Sequence, residues 1–241
     1  MDERTMRAEM LLGGEAMEKL RQSHVAVFGL GGVGSWCAEA LGRSGLGRLT
    51  LVDQDTVSLS NCNRQLCALS STLGQSKAAV AAERIRDINP AIAVTALEGT
   101  YRAEDRERFF ADYDYVVDAI DLVSCKLDLI CTCRERGIPI VSALGTGNKK
   151  DAQRLRLADL AETRGCPLAR VVRRELRARG IEHHPVVCSD EEPMTPSQPE
   201  APPPGRRSVP GSLVWVPATA GLLLCQKVVL DLTEGAEQQK R

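Results

Sequence analysis

Along the chain from His24, short apolar runs alternate with longer segments whose apolar residues recur every three or four positions. The runs HVAVFG, LTLVD, AIAVTAL, YVVDAI and IPIVSAL are short enough for strands, and their lack of polar alternation predicts burial on both faces. Between them the spacing is helical. A helix is expected near Ser35 to Arg43, and another where Ala78, Ala81, Ile85 and Ile88 follow Ser76 and Asn89-Pro90 ends the run. A third covers Val123 to Arg136, with Gly137 as its cap. Strand and helix alternating in this way predict a parallel, doubly wound sheet whose ligand site lies at the carboxyl ends of the strands.

Beyond Gly145 the pattern loosens. Arg164 to Arg179 reads as a helix and PVVCS as a strand, while residues 192–211 are rich in Pro, Ser and Gly and predict a mobile loop. SLVWVP then reads as a strand, and Ala218 to Leu232 as an apolar closing helix packed against the sheet or a second subunit. The expected organisation is an N-terminal helical arm over 1–23, a Rossmann-type domain over 24–150 and a basic helical segment over 151–191. The Pro-rich loop over 192–211 and a C-terminal strand and helix over 212–241 complete it. The fold class is α/β, a Rossmann-type doubly wound and mainly parallel sheet, with a small C-terminal extension completing the sheet and the dimer.

Composition narrows this picture. Aromatic residues are only 3% of 241, against 43% hydrophobic residues overall, which suits strands covered by small-residue helices better than a sandwich. The charged N-terminus has no apolar stretch behind it, and the run Ala218 to Cys225 stops at Gln226 and Lys227, short of the roughly 20 residues of a membrane span. A cytoplasmic protein that does not enter the membrane is expected. Nine cysteines without a Cys-x-x-Cys pair read as reduced thiols. A net charge of −1 draws no polyanion globally, but Arg164, Arg170, Arg173, Arg174, Arg177 and Arg179 crowd one segment. That segment is either a solvated helix face or a tRNA contact, through Arg173, Arg174 and Arg177.

The candidate chemistry begins at the first strand, which runs into Gly29, Gly31, Gly32, Gly34 and Ser35. Such glycines let backbone N–H groups approach phosphates at a helix start. With Asp53 ending the second strand, these residues alone would suit a nicotinamide-dependent dehydrogenase. The residues after Asp53 do not. Asp55, Asn61, Arg64, Gln65 and Lys77 are not needed for a dinucleotide, whereas Asn61, Arg64 and Lys77 together could meet a triphosphate and the charge that grows as pyrophosphate leaves. The alternative for Arg64 is a surface pair with Asp55. Asp121, at the end of YVVDAID, could bind magnesium, or could cap the following helix; Asp118 reads as structural.

Together, Gly29 to Ser35, Asp53-x-Asp55, SLSNCNRQ, Lys77 and VVDAID resemble the adenylating enzymes related to molybdopterin- and thiamin-pathway activators and to ubiquitin activators. The resemblance implies that Asn61, Arg64, Lys77 and Asp121 handle ATP and magnesium and that Asp53 binds the ribose. It also implies that Arg7, six residues before Gly13, reaches a neighbour's nucleotide site in a homodimer. Within that superfamily the NRQ loop, ALGTGNK, CPLARVVRREL and SVPGS are most similar to the bacterial tRNA threonylcarbamoyladenosine dehydratases. This implies adenylation of the threonine carboxylate of threonylcarbamoyladenosine beside the anticodon, then cyclisation. The alternative is an activator of a small ubiquitin-like sulfur carrier, which usually holds zinc in two Cys-x-x-Cys pairs. A monovalent cation and a cysteine-desulfurase or sulfur-acceptor partner stay open. Cys166 is the candidate thioester cysteine, with packing as its default; Cys188 and Cys225 read as packing, and His24, His183 and His184 as surface residues.

Overall fold

The computed structural model describes residues 2–197 and 209–234. Among these residues seven strands form one sheet: β1 (His24–Phe28), β2 (Arg48–Asp53), β3 (Ala93–Glu98), β4 (Tyr115–Asp118), β5 (Ile140–Ala143), β6 (Leu155–Asp159) and β7 (Pro185–Ser189). Their order is β3-β2-β1-β4-β5-β7-β6, and every neighbouring pair is parallel except β6 with β7. The order reverses between β1 and β4, so a crevice opens at their carboxyl ends.

The helices are α1 (Met6–Leu12), α2 (Gly14–Gln22), α3 (Gly34–Arg43), α4 (Lys77–Ile88), α5 (Arg106–Phe109), α6 (Val123–Glu135), α7 (Pro167–Arg177) and α8 (Trp215–Thr233). Side chains alternate across β1. Val25 and Val27 face a core built with α2, α3, α4 and α8, while Ala26 and Phe28 face one built with α5, α6 and α7. Helix boundaries follow the capping signals: Ser76 accepts from Ala79 N to start α4, and Gly137 at φ 69° follows α6.

Four expectations are corrected. SLVWVP is not a strand: α8 already begins at Trp215, and Pro217 sits in its first turn, where a missing N–H costs nothing. Among its described residues the C-terminal segment therefore adds no strand. The sheet is completed by β7 and by β6, a five-residue strand that buries only Leu155 and so carries no pattern that marks it in the sequence. AIAVTAL is not buried on both faces, because β3 is an edge strand and half of it meets solvent. Finally, α8 passes Gln226 and Lys227 and is long and apolar enough to cross a bilayer, yet half of its most apolar stretch is buried against the protein, as in a core helix.

The N-terminal segment is two helices. α2 buries Ala16, Met17 and Leu20, while α1 leaves Met10 and Leu11 exposed. The mobile loop expected over 192–211 falls mostly outside the described residues. Its described flanks are tied to Asn148, which accepts from Met194 N through its carbonyl and from Gly211 N through Oδ1.

Candidate functional site

The turn from β1 to α3 is tight enough to exclude side chains. A Cβ on Gly34 would come within 1.8 Å of Gly29 O, and one on Gly29, at φ 89°, within 2.6 Å of Ala119 O. Gly32 lies under Pro217 of α8, 3.2 Å from a Cβ placed there, whereas the nearest atom to such a Cβ on Gly31 is Gln65 Nε2 at 4.0 Å. The loop is thus clamped at both ends and open at Gly31. Ser35 is buried, and its Oγ donates to Gly31 O (2.7 Å) and accepts from Leu66 N (3.2 Å). That hydroxyl ties the glycine loop to the 61–66 loop and does not present itself to a ligand.

Around this loop the chain gathers charge. Asp53 Oδ2 accepts from Leu30 N (2.6 Å) and Oδ1 from Asp55 N (2.8 Å). Burial raises its pKa from the ordinary value, opposed by those two N–H groups and the Lys77 charge. Lys77, the first residue of α4, is only 4% exposed, and its Nζ pairs at 2.8 Å with Asp55 Oδ2, whose side chain is 56% exposed. Lys77 thus takes the partner that sequence reasoning offered to Arg64. Arg64 Nη1 instead donates to Ser60 O (3.0 Å) and Asn63 Oδ1 (2.9 Å), and its own carbonyl accepts from Trp36 Nε1 (3.1 Å). Asn61 is buried, with Oδ1 accepting from Ser58 N across the short 3-10 turn Leu59–Asn61. Gln65 is buried as well, and its Oε1 has no partner.

At the end of β4, Asp118 is fully buried and pairs with Lys126 Nζ at 2.6 Å. Lys126 also donates to Ala143 O (3.0 Å) on β5, while Asp118 Oδ1 accepts from Ile120 N (3.0 Å). Asp121 comes three residues later, exposed, with no hydrogen bond or ion pair among the described residues. It does not cap α6, whose capping position is Leu122 without a side-chain bond. Sequence reasoning missed Lys126; its signal was a lone cation on the helix stripe of Cys125, Leu129 and Ile130.

Arg7 is exposed on α1 and is not brought to this site. Thr5, two residues earlier, packs at Gly45 beside the amino end of β2, the far edge of the sheet from the glycine loop. Two histidine expectations are corrected. His184 is 1% exposed, with Nε2 at 2.8 Å from Ser142 Oγ, and burial pushes its pKa from 6.5 to about 3. His24 is half-buried, with Nε2 2.9 Å from Thr50 Oγ1. His183 is exposed, as expected. Cys166 is buried, its Sγ accepting from Ala169 N at the start of α7, and Cys188 and Cys225 are buried too; among the cysteines only Cys62 is exposed.

The basic segment divides. Arg173 Nη1 is spent on Thr163 O (2.8 Å) and Thr163 Oγ1 (2.7 Å), and Arg174 pairs with Glu175 (2.8 Å), so these two of the three expected tRNA contacts are engaged within the protein. Arg177 is exposed and unpaired among the described residues.

The glycine loop, the Asp53 carboxylate bound to Leu30 N and the buried Lys77 paired with Asp55 thus come together at the carboxyl ends of β1 and β2. The ThiF family profile matches residues 3–229. Over 96% of its length the chain is 44% identical to tRNA threonylcarbamoyladenosine dehydratase of Bacillus subtilis, of which it covers 95%. Two solved structures of E. coli tRNA N6-threonylcarbamoyladenosine dehydratase superpose closely, each covered to 96% and covering 98% of this chain at 35% identity. The ATP complex has a TM-score of 0.87 and the AMP complex 0.88.

Proposed function

The chain belongs to the ThiF family, and from that premise we propose that it is an ATP-dependent dehydratase acting on threonylcarbamoyladenosine in tRNA. The observation that carries the reading is Lys77: a buried ammonium with one carboxylate partner, opening a helix beside a glycine cradle that is open at Gly31. A buried cation of this kind suits a site that receives polyphosphate.

ATP supplies the leaving group. The threonine carboxylate attacks the α-phosphorus, an O–P bond forms, and the bond to pyrophosphate breaks. The carbamoyl group then attacks the activated carbonyl within the same molecule, losing a proton as AMP departs with the carboxylate oxygen. Proximity already favours that ring closure, so the protein supplies adenylation and excludes water. The backbone of residues 29–34 cradles phosphate, Asp53 receives ribose hydroxyls, and Asn61, Arg64, Gln65 and Lys77 meet the triphosphate as its charge shifts. Asp55 holds Lys77 in readiness.

Magnesium fits this site only as a partner of the nucleotide. No group of three or more His, Cys, Asp or Glu among the described residues could hold a metal ion, but the exposed carboxylate of Asp121 would take one shared with the phosphates, screening their charge.

Arg7 acts across a homodimer: it sits by the amino ends of the strands, and crossing a strand such as six-residue β2 means covering about 20 Å to reach its own site. The exposed Met10 and Leu11 of α1 and Leu222 and Leu230 of α8 fit such a contact. Working on tRNA, the enzyme is cytoplasmic. Activation of a sulfur carrier is less supported, since the Cys-x-x-Cys pairs usual in such enzymes are missing from the sequence.

The test is ATP–pyrophosphate exchange with modified tRNA, without it, and with a small sulfur-carrier protein instead. Mass analysis of the digested tRNA should show the modified nucleoside lighter by one water. Exchange that requires the carrier, or no exchange at all, refutes the proposal.

A further inference from the structure

We infer that Arg156, Arg164, Arg170 and Arg177 form a track for tRNA backbone phosphates leading to the adenylation site, an inference that rests on the function proposed above. All four are exposed, and none has a hydrogen bond or ion pair from its side chain among the described residues. Their neighbours are engaged: Arg154 with Asp190 (2.7 Å), Arg173 with Thr163, and Arg174 and Arg179 with Glu175. Those pairs also neutralise Asp190 and Glu175, and Asp159 faces His183 at 3.3 Å. Among the residues that line the two concavities, Glu162 is the remaining acid.

The fold aligns the four. The pairing of Leu155 with Ser189 sets the start of β6 against the end of β7. Arg156 therefore stands at the same edge of the sheet as the carboxyl ends that hold the glycine loop. Gly165 packs on Asp190 O, 2.9 Å from where its Cβ would be, which brings Arg164 to that edge too. Arg156 and Arg164 flank a shallow concavity of about 640 Å³. From there α7 leads away from the edge. Arg170 and Arg177, seven residues apart, share one side of it about 10 Å from each other and line a second concavity of about 390 Å³.

The chemistry favours a phosphate backbone as the occupant. Unpaired guanidinium groups bind phosphate through paired N–H donors, and no aromatic side chain lines either concavity to stack a base. Such a surface reads the form of a folded RNA and leaves sequence choice to the site. The face also stays open in a dimer built through α1 and α8, since α7 covers the opposite side of the sheet.

The test compares two double variants of the full-length protein with equal loss of charge on one helix. Arg170→Ala/Arg177→Ala removes track residues, and Arg174→Ala/Arg179→Ala removes paired ones. The track variant should raise the KM for modified tRNA about tenfold at moderate salt, with kcat at saturating tRNA and the Kd for ATP unchanged. The slope of log Kd for tRNA against log salt should fall in magnitude by about 1.5 to 2, since binding through two fewer phosphate contacts releases fewer counterions. The paired variant should show less than half of either change. Equal effects of the two variants, or no effect of the first, overturn the track. Loss of affinity for an acidic carrier protein with tRNA binding intact overturns it as well. Direct tRNA binding by fluorescence anisotropy keeps the two ideas separate: a wild-type protein without cyclisation activity refutes the function, while a difference between the variants in anisotropy still supports the track.

Discussion

Replacing Lys77 by Met keeps the buried stem and removes its charge, and the geometry makes the expected outcome lopsided. The partner left behind, Asp55, has a side chain 56% exposed and can rehydrate, so the lost pair should cost less than about 1 kcal/mol of stability. For a chain of this size that is a shift of about 2 to 4 °C in Tm at most. Turnover should fall about 100- to 1,000-fold, the loss typical when one group stabilising transition-state charge is removed. Asp55→Asn inverts the pattern. It strands an ammonium that is 4% exposed, and the fold should lose about 1 to 3 kcal/mol, between the values for exposed and for fully buried pairs because Asp55 itself is half in solvent. Saturating ATP should close that gap, because triphosphate becomes the missing anion, so the ATP-induced rise in Tm should be larger in Asp55→Asn than in wild type. Scanning fluorimetry with and without ATP, beside single-turnover adenylation, reads both arms. If Lys77→Met unfolds as readily as Asp55→Asn while its turnover stays within a few-fold of wild type, Lys77 is a strut and the phosphate reasoning is wrong.

Three further outcomes are expected. Gly221→Ala puts a Cβ 2.4 Å from Val33 O and 2.9 Å from Cys37 N, pushing α8 off the glycine loop; thermal unfolding should show a loss of about 1 to 3 kcal/mol with weaker ATP binding, and an unchanged Tm would refute it. His184, held neutral by burial down to about pH 3 against 6.5 when unfolded, makes stability whole above pH 6.5 and progressively lost as pH falls from 6.5 toward 3, by about 2 kcal/mol at pH 5. In denaturant titrations His184→Gln should lose less stability than wild type between pH 7.5 and 5, and parallel curves would contradict this. Mixing Arg7→Ala with Asp121→Ala subunits, each inactive alone, should restore about a quarter of wild-type activity, since half of the dimers are mixed and each holds one complete site; a verified heterodimer at background activity would reject Arg7 acting across subunits.

Local patterns were the legible part. The strands β1, β2, β4, β5 and β7, the helices α3, α4 and α6, and the cradle of Gly29 to Gly34 could be read from spacing, caps and glycines. The features that failed depended on position in the finished sheet. β3 has the apolar run of a central strand but sits at an edge, and β6 buries only Leu155 in a short charged stretch that gives no strand pattern. Val214 to Pro217 has strand-forming residues, yet Trp215 Nε1 donates to Lys150 O and Pro217 is accommodated in a first helical turn, so packing overrode propensity.

The same limit governed side-chain roles. Asp118 could be read as structural from its place in a strand, but nothing near it in sequence identified Lys126, in the first turn of the next helix, as its partner. The pair links three elements: Asp118 on β4, Lys126 on α6 and, through Ala143 O, β5. Asp118 Oδ1 also fixes Ile120 N, so the backbone turn between the buried carboxylate and exposed Asp121 is held from within. The turn is constrained from the other side as well, since Ala119 O fills the space that a Cβ on Gly29 would need. A fully buried ion pair is a costly way to join strands, and an apolar pair of equal volume would often be as stable. It can do what an apolar pair cannot, which is to place a hydrogen-bond acceptor beneath the turn that leads to Asp121. The residue that sequence reasoning chose for magnesium thus owes its position to a lysine that reasoning did not see.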